Sequence, residues 1–264
     1  MLQIDQVSKV FYPGTVNEKS ALEDINLVVS KGDFITVVGS NGSGKSTLFN
    51  LISGTYPVTG GKLLLEGRDV TNTPEYKRAF TIGRIFQDPT KGTAAKMSIE
   101  DNLITAYSKG MKGLRISLNS EKRELFKKEL TQLSMGLEVR LKDNVGLLSG
   151  GQRQALTLLM TVLSKPKMLL LDEHTAALDP RNAQIVMDLT MQFISKYELT
   201  ALMVTHNMQH AIDFGNRLLM MDEGKIILDL SAEEKKSLTV PKLVKLFKSI
   251  KKKDYVSDED LLTE

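Results

Sequence analysis

The feature that most restricts the fold is a short apolar run, Phe34 to Val38, that feeds without a break into Gly39-Ser40-Asn41-Gly42-Ser43-Gly44-Lys45-Ser46-Thr47. An apolar run of that length reads as a buried strand, and Leu48, Phe49, Leu51 and Ile52 beyond the loop carry helical spacing, closed by Gly54. Strand, glycine loop and helix in that order gather successive backbone N–H groups and the positive end of a helix at one point, which is a phosphate-binding device. Lys45 is spaced to bridge β- and γ-phosphates, and the Ser46 hydroxyl to ligate Mg²⁺. A glycine–serine linker with a stray lysine would lack the flanking strand and helix.

A second stretch, Leu148 to Asp179, has its own grammar. Ser149-Gly150-Gly151 precedes an apolar run with helical period, read as a helix from about Gln152 to Ser164 that stops before Pro166. The glycines keep Cβ atoms clear where a helix start approaches an anion. Met168 to Leu171 is then a fully apolar strand suited to the centre of a parallel sheet. It ends in Asp172-Glu173, at the sheet edge where open α/β folds bind ligands. A carboxylate there can hold Mg²⁺ while its neighbour orients an attacking water, or the pair can be a plain ion-pair site. The phosphate loop favours the first reading.

The remaining elements follow the same rules. Leu2–Val10 and Leu22–Val29 alternate and read as antiparallel strands at the edge of the main sheet. Phe11-Tyr12-Pro13-Gly14 ends the first; an aromatic there either stacks on a base or covers the core edge. Lys62–Leu65 and Gly67–Val70 suggest a hairpin. Phe80–Phe86 reads as a strand with Gln87 at its tip, where a side-chain carbonyl can reach Mg²⁺ or water. Residues 90–145 are more polar with helical spacing, an inserted helical lobe in which Lys109–Asn119 is a connection. Met97, Ile99 and Leu103 are candidates for a docking groove or for the lobe's core. Arg181–Lys196 is an amphipathic helix, Thr200–Val204 a strand leading to His206, and Arg217–Met221 and Lys225–Leu228 a hairpin. Lys242 to Lys253 makes a basic amphipathic helix, packed on its own domain or facing anionic lipid or a partner, and residues 254–264 turn acidic and fray.

Composition sets limits. At 264 residues with 41% hydrophobic and 25% charged residues, the chain has the material for one large globular unit. With no cysteine there is neither a disulfide framework nor a cysteine metal site. A net charge of +3 is too small to argue for nucleic acid. No apolar run reaches the length of a membrane span, and the first residues lack the apolar core of a signal peptide. The expectation is a cytoplasmic protein whose membrane role, if any, goes through a partner.

GSNGSGKST at 39–47, IFQD at 85–88, LSGGQRQ at 148–154, LLLDE at 169–173, AALD at 176–179 and VTH at 204–206, in that order, resemble the ATP-binding subunits of ABC transporters over roughly residues 1 to 230. The resemblance implies an α/β fold: a P-loop NTPase mixed sheet with an antiparallel β subdomain and an inserted α-helical subdomain. It implies an ATPase domain over 1–232, with the helical subdomain at about 90–155, and a basic helix and acidic tail over 233–264. It implies ATP and Mg²⁺ as cofactors. Phe11, or failing it Tyr12, would stack on adenine. Gly39, Ser40, Asn41, Gly42, Ser43, Gly44, Lys45, Ser46 and Thr47 would hold the phosphates, with Ser46, Gln87 and Asp172 at Mg²⁺. Glu173 would polarise the attacking water and His206 would contact the γ-phosphate. Ser149, Gly150, Gly151 and Gln152 would cap ATP on a second copy of the chain in a head-to-tail dimer, with Asp179 at the seam.

Two departures stand out: His174 where the family has proline, and ALTLLMTVL after LSGGQRQ. His174 restores a backbone N–H and a titratable ring, so slower or pH-sensitive turnover is expected. The second departure and GTAAKMSIEDNL after Gln87 are similar to ATPases of amino-acid and small-solute importers. The implied partners are transmembrane permease subunits and, indirectly, a solute-binding protein, at the cytoplasmic face of the cell membrane. An exporter or lipid-transport ATPase and a soluble ATPase of an assembly system such as iron–sulfur cluster assembly are the alternatives.

Overall fold

The computed structural model describes residues 1–108 and 118–261, with side chains through residue 250. Most of the expected 109–119 connection, and the last three residues of the acidic tail, lie outside the described residues. In chain order the strands are β1 (Leu2–Phe11), β2 (Lys19–Val29), β3 (Phe34–Gly39), β4 (Gly60–Leu65), β5 (Arg68–Asp69), β6 (Ile82–Ile85), β7 (Met168–Asp172), β8 (Thr200–Val204), β9 (Arg217–Asp222) and β10 (Lys225–Leu230). The helices are α1 (Lys45–Ser53), α2 (Glu75–Arg78), α3 (Ile99–Tyr107), α4 (Ser120–Thr131), α5 (Gly150–Leu163), α6 (Pro180–Lys196), α7 (Met208–Asp213), α8 (Ala232–Lys236) and α9 (Val240–Leu261).

Six strands form one sheet in the order β10-β9-β3-β8-β7-β6, parallel except for the edge strand β10. The fully apolar runs are its inner strands, because both faces are covered. In β7, Met168 and Leu170 pack with α1 on one face, while Leu169 and Leu171 pack with α5 and α6 on the other. Registers Val37↔Val204 and Asp172↔Val204 bring the tips of β3, β7 and β8 to one edge.

One expectation is corrected. β1 and β2 are not the edge of this sheet; with β4 and β5 they form a separate four-stranded antiparallel sheet, order β2-β1-β4-β5. Its buried face, including Leu2, Ile4, Val7 and Leu22, closes over Leu48, Phe49 and Ile52 of α1. Alternating strands need one apolar partner face, and α1 supplies it from between the sheets. Arg78, buried at the end of α2, donates to the carbonyls of Leu51, Ile52, Val70, Thr71 and Thr73. It thereby satisfies the orphan carbonyls where α1 ends.

The inserted lobe is helical as expected. Ile99 and Leu103 of α3 are its core, so they line no groove, and Met97 alone of that trio is well exposed. A capping box between Ser98 and Asp101 starts α3. At the other end of the chain, α9 seats Leu243 and Phe247 against Val38, Ala211, Leu218 and Met220. It runs to Leu261.

Candidate functional site

The glycine loop is shaped from behind. A Cβ on Gly39 would fall 2.1 Å from the Met221 carbonyl oxygen, and one on Gly44 2.6 Å from the Leu22 side chain. Both glycines let neighbouring strands press against the loop, so close packing as well as anion approach selects them. Gly42 has open space at its Cβ but a φ of +83°, so there the backbone conformation favours glycine. Ser40 Oγ donates to Asp222 Oδ1 at 3.0 Å, and the Gly224 amide donates to the Ser43 carbonyl. The β9–β10 turn thus braces the loop.

Lys45 folds back over this loop. Its ammonium donates to the carbonyls of Gly39 and Ser40, each at 2.8 Å. Burial pushes its pKa below the ordinary lysine value, and the carboxylates of Glu173 and Asp172 act in the opposite sense.

Two clefts flank α1. One, of about 560 Å³, is lined by residues 41–47, by Phe11 and Tyr12 at one end and by Glu173 and His206 at the other. Phe11 is edge-on to Tyr56, with Lys9 Nζ 5.0 Å over its ring, whereas Tyr12 stands 68% exposed, its ring tilted 44° to that of Phe11. Glu173 and His206 meet directly, Oε1 to Nε2 at 2.6 Å. Glu173 holds a φ of +48°, uncommon for a residue with a side chain; the strain aims its carboxylate into the cleft. The second cleft, about 680 Å³, contains Gln87 and Asp172, and Ser46 belongs to both.

The residues fit a triphosphate with a divalent cation. The lysine's partners are loop oxygens that phosphate oxygens can replace. Ser46, Gln87 and Asp172 offer the hard oxygen donors that Mg²⁺ takes. Among the described residues no group of three or more His, Cys, Asp or Glu side chains forms a metal cage, so phosphate and water would complete the shell.

The Ser149 turn lines neither cleft. Ser149 caps α5 in a capping box with Gln152, and Ser149 and Gly150 are exposed. A Cβ on Gly151 would lie 2.6 Å from Asn182 Cγ, so this glycine too is fixed by packing. Asn182 also donates from its amide and side chain to Asp179, which caps α6 and whose pKa these bonds lower. Asn182 therefore ties the Ser149 turn to the Asp179 turn.

Sequence reasoning missed three residues here. Asn182 is the first. Gln154, buried in α5, donates to the His174 carbonyl at 2.7 Å and the Phe86 carbonyl at 3.1 Å, joining the tips of β6 and β7. Arg84 pairs with Asp172 at 3.0 Å. No spacing rule marks any of them; only Arg84, a cation inside an apolar strand run, carried a signal. His174, the departure from the family's proline, turns away from solvent. Its ring is fully buried, and burial pushes its pKa from 6.5 to about 4. Nε2 lies 3.0 Å from Thr190 Oγ1, whose own hydrogen goes to Val186 O, so the ring donates from Nε2. It faces the core and does not titrate near neutral pH.

The ABC transporter family model matches residues 22–176. A tyrosine transport ATP-binding protein of Clostridioides difficile is 42% identical over 249 residues, which cover 94% of this chain and 98% of that one. An ATP-binding cassette of an ABC transporter in its ADP conformation superposes with a TM-score of 0.75 at 28% identity, covering 94% and 98% of the two chains. A dimeric cassette in a post-hydrolysis state with ADP and phosphate gives 0.71 at 26% identity, covering 88% and 99%. With fold, cleft and relatives in agreement, this chain belongs to the ABC transporter family, as an ATP-binding subunit that hydrolyses ATP.

Proposed function

We propose that this chain powers bacterial uptake of an amino acid or similar small solute, working as an ATP-sandwiched head-to-tail dimer beneath two transmembrane permease subunits fed by an external solute-binding protein. The observation that carries the dimer is the split of the site. The exposed start of α5 at Ser149 and Gly150 lies outside the clefts of its own chain, so only a second copy can lay it against a bound triphosphate. The dimeric ADP-and-phosphate neighbour supports that reading. The tyrosine-transport relative supports the solute class.

In this reading Tyr12 carries the base in preference to Phe11, residues 39–47 cradle the phosphates, and Ser46, Gln87 and Asp172 hold Mg²⁺. The cation, when bound, neutralises charge on the β- and γ-phosphates. Glu173 orients the attacking water, and His206 fixes the Glu173 carboxylate and reaches the γ-phosphate. The Ser149 turn rewards closure only while that phosphate is present, and its loss reopens the dimer.

In this reading the permease docks in a groove of about 360 Å³ lined by Tyr76, Phe80 and Met160 among others. Phe80 is 53% exposed there, beside the strand that leads to Gln87. No described helix is long and apolar enough to cross a membrane.

Glu173→Gln tests the cycle. With ATP and Mg²⁺ it should elute as a stable dimer on gel filtration and hydrolyse at least about a hundredfold more slowly than wild type. Undiminished turnover in that variant would remove Glu173 from its role. Phe80→Asp should keep basal ATPase but lose co-purification with the permease; retained co-purification contradicts the groove.

A further inference from the structure

Arg84 sits on β6, three residues before Gln87, with its guanidinium wedged between the tip of β7 and helix α1. Nη2 donates to Asp172 Oδ2 at 3.0 Å, and Nη1 donates to Asn50 Oδ1 at 2.7 Å and to Ser53 Oγ at 3.3 Å. The guanidinium carbon lies 4.7 Å over the Phe86 ring. The side chains of Arg84 and Asp172 are 12% and 16% exposed, so the pair is largely shielded from solvent. Both line the cleft that holds Ser46 and Gln87. An arginine gripped by α1, by Phe86 and by Asp172 is a fixed charge, and a fixed charge beside a cation site has a consequence. Asp172 is already neutralised. A divalent cation that comes to its carboxylate meets a guanidinium a few ångströms away, where partial burial of the pair leaves the repulsion incompletely screened.

We propose that Arg84 is a positioning residue that holds Asp172 as its internal counter-ion and, by competing for that carboxylate, weakens the site's grip on a divalent cation until a triphosphate supplies compensating negative charge. The proposal rests on the reading of Asp172 as a metal ligand. In it, Asn50 and Phe86 keep the guanidinium in place, so that it shares or yields the Asp172 oxygen without leaving the cleft.

The test is direct metal binding by the full chain in the absence of nucleotide, read from the free Mn²⁺ signal in electron paramagnetic resonance. Arg84→Met keeps the stem over Phe86 and removes the charge; Arg84→Gln is a second neutral variant should the first fail to fold; Arg84→Lys keeps the charge. Both neutral variants should bind Mn²⁺ about tenfold more tightly than wild type, and the lysine variant should stay within about twofold of it. A purely structural role for Arg84 would not tighten metal binding, nor be restored by lysine. Unchanged or weaker Mn²⁺ binding in the neutral variants, with Asp172→Asn weakened, overturns the proposal and leaves the metal-ligand reading intact. Unchanged binding in Asp172→Asn overturns that reading and the proposal with it.

Discussion

His174 shows how far a side chain's surroundings override its type. Next to Glu173 in sequence, it turns inward onto Thr190 and is buried with a pKa of about 4 against an ordinary 6.5. Between those values the unfolded chain binds the extra proton, so stability rises with pH across the window. The contribution is complete above 6.5 and is lost as pH falls toward 4, a swing of about 3 kcal/mol for a fully buried ring. The melting temperature should therefore drop on going from pH 7 to pH 5, and His174→Gln should flatten that drop while leaving the pH profile of turnover above 7 untouched. Calorimetry beside an ATPase profile checks both; an equally steep drop in the variant would show that other groups set it. At this scale the sequence was partly legible. Lys45, Ser46, Glu173 and His206 could be placed by motif because their chemistry and local element coincide. Arg84, Gln154 and Asn182 could not, because each works through partners distant in sequence: Asp172, Phe86 and, for Asn182, Gly151.

Between residues and fold, the elements are held by a few polar staples, and Arg78 is the most committed of them. Its five donations stitch the end of α1 to the β5 region and the start of α2. Arg78→Met would remove the side-chain donor from all five carbonyls, of which Leu51 and Val70 keep backbone donors from Gly54 and Thr73, and would cost about 3–5 kcal/mol. For a chain of this size that corresponds to a fall in melting temperature of roughly 6–20 °C. A thermal melt within a degree or two of wild type would assign the end of α1 to other groups. Elements with a period of their own were readable: β7, β8, α5 and α6 lie within a few residues of the positions that spacing gives. What was not readable was which sheet β1 and β2 join, since alternation names a buried face without naming what covers it. The short helices α2, α7 and α8 carry too few residues for a periodic signal.

For the whole molecule the decisive quantity is how many chains one site needs. In each chain the phosphate loop and Glu173 line one cleft, and the Ser149 turn lies elsewhere. If sites are shared across a two-fold dimer, defects in the two halves complement. Lys45→Ala destroys a chain's own cleft and spares its turn; Ser149→Arg destroys the turn and spares the cleft. Each variant alone has no complete site and should show almost no ATPase. An equimolar mixture forms mixed dimers in half of the pairings, each with one intact composite site. Activity should return to about a quarter of the wild-type value if sites act independently. Restored hydrolysis in the mixture can come only from groups contributed by two different chains. Full activity in Ser149→Arg by itself would mean that one chain completes its own pocket, and the split that the geometry shows would then have no part in the chemistry.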